Sequence, residues 1–132
     1  MLNDQDRDLL TGRNFGHVAT LLPDGSPHTV AVWVDERDGV VLVNSTEESV
    51  KVRNLRRDPR VAVSVHDQAE PYRMLALRGR AFEVTAEGAE EHIDALTRRY
   101  TGEQKYPDEW REPGEVRVMV RIQPERIFRY GY

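Results

Sequence analysis

Runs in which every second residue is apolar recur along this chain, and such a period of two marks strands with one face in a core. Phe15 to Leu22 is the first run. Pro23-Asp24-Gly25-Ser26-Pro27 follows, and its closely spaced prolines and glycine predict a tight turn that folds a second strand back on the first. In that second strand Val30, Val32 and Val34 share one face while Thr29, Ala31 and Trp33 share the other. Both faces are largely apolar, which predicts a central strand. Glu36-Arg37-Asp38-Gly39 turns the chain again, Gly39 supplying the positive φ that such turns need. The third strand, Val40 to Val43, is apolar throughout.

Three stretches break the period. Asp4 to Leu10 reads as a short helix, acidic in its first turn, stopped by Gly12 and lying over one end of a sheet. Asn44-Ser45-Thr46-Glu47-Glu48 reads as a capped helix start, because Ser45 and Glu48 have the S/T-x-x-E spacing of a capping box. The basic helix that follows ends in Arg53-Asn54-Leu55-Arg56-Arg57 and is closed by Asp58-Pro59. From Glu87 to Tyr100 the period lengthens, with Ile93, Leu96 and Tyr100 on one face and Glu90, Glu91, Asp94 and Arg98 left for solvent.

Between and after these lie the remaining strands. Val61, Val63 and Val65 alternate with Ala62, Ser64 and His66, and a polar break from Asp67 to Pro71 follows. A fifth strand sets Leu75, Leu77, Gly79 and Ala81 against Met74, Ala76, Arg78 and Arg80, with Gly79 a bulge that bends the sheet. Thr101 to Pro113 is irregular, and a loop of this length in a compact domain is usually functional or packed on a partner. Val116, Val118, Val120 and Ile122 then alternate with Arg117, Met119, Arg121 and Gln123, and Ile127 and Phe128 extend the sheet beyond Pro124. About six short strands joined mostly by hairpins, with helices inserted after the third and fifth, predict a mainly β fold, an antiparallel barrel. One domain covering residues 1–132 is expected.

Composition narrows the function classes. A net charge of −4 argues against a general nucleic-acid binder, which needs a basic surface. With no cysteine, disulfides, thiolate metal sites and a cysteine nucleophile are excluded. The acidic start of the chain has no apolar run after it, and nothing approaches a membrane span, so a cytoplasmic protein is expected. His17, His28, His66 and His92 have no metal-ligand spacing, and no nucleophile elbow, dinucleotide fingerprint or P-loop is present.

One place hints at chemistry. A strand running into a helix N-terminus leaves backbone N–H groups unpaired, a ready anion site to which Lys51 would add charge. The same residues could instead simply cap their own helix. Arg53, Arg56, Arg57 and Arg60 are open to two readings as well, a solvated face or a phosphate contact. Trp33 suits a core, whereas Trp110, in a polar loop between prolines, suits a ligand or partner contact equally well.

Several motifs together resemble a known family. They are the Pro23 to His28 turn before a Val-rich strand ending in Trp33, the run Lys51 to Val61 containing Asn54-Leu55-Arg56-Arg57-Asp58-Pro59-Arg60, the Arg78-Gly79-Arg80-Ala81 strand, and Val120 to Ile127. The chain resembles the split β-barrel flavin and deazaflavin oxidoreductases, the pyridoxamine-phosphate-oxidase-like proteins, and within them the branch that uses coenzyme F420. The resemblance implies a homodimer with the cofactor in a groove between subunits. It places the phosphate-bearing tail at Asn44, Ser45, Thr46, Ser49 and Lys51, and the ring along Val30, Ala31, Val32 and Trp33. Thr29 stands where the pyridoxamine phosphate oxidases carry an arginine, and Ser49-Val50-Lys51 where they carry Ser-Arg-Lys; both departures weigh against FMN. Arg53 is the candidate to replace the lost charge. The implied activity is hydride transfer between F420 and a small conjugated or aromatic acceptor. An FMN-dependent oxidoreductase of the same fold, and a non-catalytic barrel for flavin, haem or tetrapyrrole, are the alternatives.

Overall fold

The computed structural model describes residues 1–132. Its elements are α1 (Asp4–Thr11), β1 (Phe15–Leu21), β2 (Pro27–Arg37), β3 (Val40–Thr46), α2 (Val50–Arg57), β4 (Arg60–His66), β5 (Met74–Thr85), α3 (Ala89–Thr101) and β6 (Arg117–Tyr130), with a short 3-10 turn at Asp108–Trp110. The six strands close into an antiparallel barrel in the order β1-β2-β3-β6-β5-β4. Closure removes every free edge, and the outer face of β2 is covered in part by α3, whose Tyr100 stacks on Trp33.

Turn chemistry sets the register. Asp38 and Gly39 both have positive φ, the two-residue geometry that matches strand twist, and they join Arg37 directly to Val40. The barrel interior is filled from every strand, by residues such as Val18, Val34, Val43, Val63, Leu77 and Val120, each almost fully buried. Leu9 and Leu10 from α1, and Val52 and Leu55 from α2, pack into the same core. The Asn3 and Asp6 side chains cap α1 reciprocally, and Gly12 ends it.

The predicted bulge at Gly79 is present. The β5–β6 register shifts between Arg78 and Gly79, and a Cβ at Gly79 would stand 2.1 Å from the Gln123 carbonyl oxygen. Pro124 sits opposite Gly79, so the missing N–H falls at the irregularity and β6 runs on unbroken to Tyr130.

Three expectations are corrected. Asn44 to Glu48 does not begin a helix. β3 continues through Thr46, Ser45 pairs with Val118, and α2 starts at Val50 with Ser49 as its N-cap, so the Ser45–Glu48 box does not form. Backbone pairing to β6 outweighs the local capping preference. The alternation in β6 also misleads, because Arg117 and Met119 are buried along with Val118 and Val120. Met119 is covered by α3, which packs on the outside of the barrel and buries Ala89 against Leu42 and Met119, and the Arg117 guanidinium is covered by the Tyr106 ring and held by Asn44 and Glu115. Asp94, expected in solvent, is half-buried and accepts a hydrogen bond from the Tyr106 N–H.

Candidate functional site

The seam between α3 and the outer face of β2 and β3 opens into a groove of about 330 Å³. Ala31, Val32 and Trp33 of β2 form its floor, Asn44, Lys51 and Arg117 its polar end, and Tyr106 and Trp110 a wall.

The polar end carries an uncompensated charge. Lys51 is the second residue of α2, and burial, with the neighbouring Arg117 guanidinium, pulls its pKa below the usual lysine range. No carboxylate pairs with it. Ser49 Oγ caps the Val52 N–H at 3.3 Å, and the Val50 and Lys51 N–H groups have no acceptor within the chain. Two cations and a helix N-terminus thus face one small volume, an arrangement that favours an anion. Glu47 does not oppose this, since Arg56 holds both its oxygens at 2.6 Å.

Arg117 is itself held from behind. Its Nε donates to Asn44 Oδ1 at 2.9 Å, and its Nη1 reaches Glu115 at 3.3 Å. The Asn44 amide donates to the Ala89 carbonyl at 2.9 Å and to His92 Nδ1 at 3.2 Å. His92 Nε2 then lies 3.1 Å from Asp35 Oδ2, and Arg99 donates to Asp35 Oδ1 at 2.9 Å. Burial pushes the Asp35 carboxyl up, but the hydrogen bonds from His92 and Arg99 more than reverse this and bring it down to about 2. An ionised Asp35 accepts a hydrogen bond from the Nε2–H and so leaves Nδ1 free to accept from Asn44. A continuous chain from a buried carboxylate therefore fixes the guanidinium at the groove.

Aromatic rings shape the rest. Trp33 stacks on Tyr100 with centroids 5.2 Å apart and planes 5° from parallel. The Tyr100 hydroxyl donates to the Asn14 carbonyl at 2.6 Å, which fixes the ring that backs Trp33. Tyr106 meets Trp110 edge-on and lies under both Arg111 and Arg117. Arg111 in turn pairs with Glu90 at 2.7 Å, so the 102–116 loop is pinned against α3 and forms the wall.

Of the residues expected at a cofactor site, Ala31, Val32, Trp33, Asn44 and Lys51 line this groove together. Thr46 and Ser49 line a small adjoining cleft with Glu48, Glu112 and Glu115. Ser45 is buried and donates to Ser49 Oγ at 2.9 Å, behind the helix start. Val30 packs against the core, and Arg53 is exposed and does not line the groove. Sequence reasoning missed Arg117, Tyr106 and the His92–Asp35 pair. Only Asp35, an acid inside an apolar strand, gave a signal there.

The family model described as Pyridoxamine 5'-phosphate oxidase matches residues 2–130. The F420H(2)-dependent biliverdin reductase of Mycobacterium tuberculosis is 31% identical over 130 residues, covering 96% of this chain and 86% of that protein. A solved structure described as F420 Reductase superposes with a TM-score of 0.80 at 31% identity, covering 92% of this chain and 94% of the other. A conserved hypothetical protein of Mycobacterium tuberculosis superposes with a TM-score of 0.73 at 28% identity, over 98% of this chain and 84% of that one.

Proposed function

Because the chain belongs to the pyridoxamine 5'-phosphate oxidase family, we propose that it is an oxidoreductase that uses F420 to reduce a small conjugated or aromatic acceptor. Two relatives at 31% identity that are described as F420-using reductases support the cofactor. The observation that carries the reading is the unpaired Lys51 beside Arg117, a site for a phosphate-bearing tail at the end of a groove floored by Ala31, Val32 and Trp33.

When bound, the reduced deazaflavin supplies the hydride. The chain supplies position and electrostatics. Lys51, Arg117 and the open N–H groups of α2 hold the anionic tail, and the Asn44–His92–Asp35 chain keeps Arg117 aimed there. Trp33, backed by Tyr100, gives the ring a flat floor, while Tyr106 and Trp110 narrow the access of water from the loop side.

The groove stands at the low end of volumes that enclose a cofactor, and Phe15 of β1 and Ala31 of β2, both exposed, are among its lining residues. In this proposal a second copy covering the outer face of β1, β4 and β5 completes it. The support is a shallow surface of small side chains, Ala19, Ala62, Ser64 and Ala76, with Phe15 and Phe128 exposed beside it.

Anaerobic turnover with a panel of conjugated acceptors, biliverdin among them, tests the reading. Reduced F420 is expected to be consumed with at least one acceptor, and protein purified from a flavin-containing host is expected to be colourless. A yellow protein that turns over with reduced FMN alone would refute the assignment.

A further inference from the structure

The larger cleft of the molecule, about 510 Å³, is at the far end of the β1–β2 hairpin from the groove and shares no residue with it. Arg60 of β4, Arg78 and Arg80 of β5 and Arg126 of β6 line it. Their register is costly. Arg60 stands directly opposite Arg80, and Arg78 directly opposite Arg126, and like charges at opposed positions of neighbouring strands destabilise a sheet. Four guanidiniums are thus gathered on three adjoining strands of a chain of net charge −4.

Their partners are unevenly shared. Arg60 is satisfied by Asp58 at 2.7 Å, whose carboxyl that contact holds down at about 2. Arg80 has a looser contact with Glu125 at 3.6 Å. Arg78 and Arg126 face each other with no carboxylate on either, and Arg78 rests over the Phe128 ring. Two opposed planar forks with free donors match one tetrahedral or planar oxyanion, and Arg80 is in place for a second charge on the same molecule.

We propose that this cleft is a second binding site, for a small ligand that carries two anionic groups, phosphate or carboxylate. None of its residues lines the groove, but Ala19, Ala62 and Arg78 also border the face assigned above to the second copy, so the site rests on that copy leaving the arginine end of the face open. The occupied site relieves the repulsion that the empty register imposes, so ligand binding and barrel stability are coupled here.

Calorimetric titration at low ionic strength with pyrophosphate and with citrate tests this, the first probing phosphate and the second carboxylate. Binding of at least one probe is expected to weaken steeply with added salt, to drop at least tenfold in Arg78→Ala/Arg126→Ala, and to persist in Lys51→Ala. Arg126→Ala alone is expected to raise Tm without ligand, a readout independent of any probe. No binding of either probe overturns the proposal, as does binding that survives loss of both arginines and disappears in Lys51→Ala. A smaller oligomer in Arg78→Ala/Arg126→Ala with no ligand bound to the unmodified protein would assign the arginines to a subunit contact, and overturns it too.

Discussion

Burial and the Arg117 guanidinium both disfavour the charged form of Lys51, so at neutral pH its charge costs the free protein stability that an apolar side chain would not. Lys51→Met, which keeps the length of the side chain, is expected to raise the Tm of the ligand-free protein by a few degrees while weakening binding of an anionic cofactor. Thermal melts with and without cofactor check the pair of effects. The pH dependence follows from the same shift. Affinity is retained while Lys51 is protonated and falls as pH rises through a pKa below the ordinary lysine range, and this alkaline loss is expected to vanish in Lys51→Ala. His92 works from behind the groove. His92→Phe removes the partner of buried Asp35 and of Asn44 at once, and about 1 to 3 kcal/mol of stability is expected to go with it in urea melts.

At the scale of single elements, the start of α2 separates the two capping readings. Ser49→Ala is expected to cost about 1 kcal/mol through loss of the bond to the Val52 N–H, and Glu48→Ala almost nothing, since no capping box exists for it to complete. Gly79→Ala is expected to cost about 1 to 3 kcal/mol, because the new methyl meets a backbone carbonyl that cannot swing aside. What was legible in the sequence is what local chemistry decides: the Asp38-Gly39 hairpin, the Gly79 bulge, the Asp58-Pro59 stop and the succession of strands along the chain, but not the pairing of β3 with β6 or of β1 with β4. The start of α2 was not legible, since Ser45 chooses between cap and strand according to whether Val118 lies alongside. Nor was the burial of Met119 under α3, or of Arg117 under the Tyr106 ring. The floor of the groove came from the family resemblance, since the strand pattern alone suited Trp33 to a core, and the meeting of Lys51 and Arg117 in one groove joins residues far apart in the chain.

For the molecule as a whole, acid stability follows from its buried carboxylates. Burial raises Asp6 as it does Asp35, and bonds from Arg129 and Tyr132 reverse it as His92 and Arg99 do for Asp35. A depressed native pKa contributes stability that is complete above the unfolded value of about 3.9 and is lost as pH falls from there toward the native one. Circular dichroism is therefore expected to show little change down to about pH 4 and a loss of native structure between there and about pH 2. Asp35→Asn is expected to be less stable at neutral pH and to lose less on acidification. In the proposed dimer the second copy covers the groove, and sedimentation is expected to give a dimer. The central claim is that Lys51 and Arg117 hold the anionic tail of F420 over a floor that contains Trp33. Trp fluorescence quenching by F420 and by FMN, in the unmodified protein and in Lys51→Ala, tests it most directly. F420 is predicted to bind more tightly than FMN, with a loss of about 1.5 to 3 kcal/mol in the variant; tighter binding of FMN, or an F420 affinity unchanged by the substitution, would contradict it.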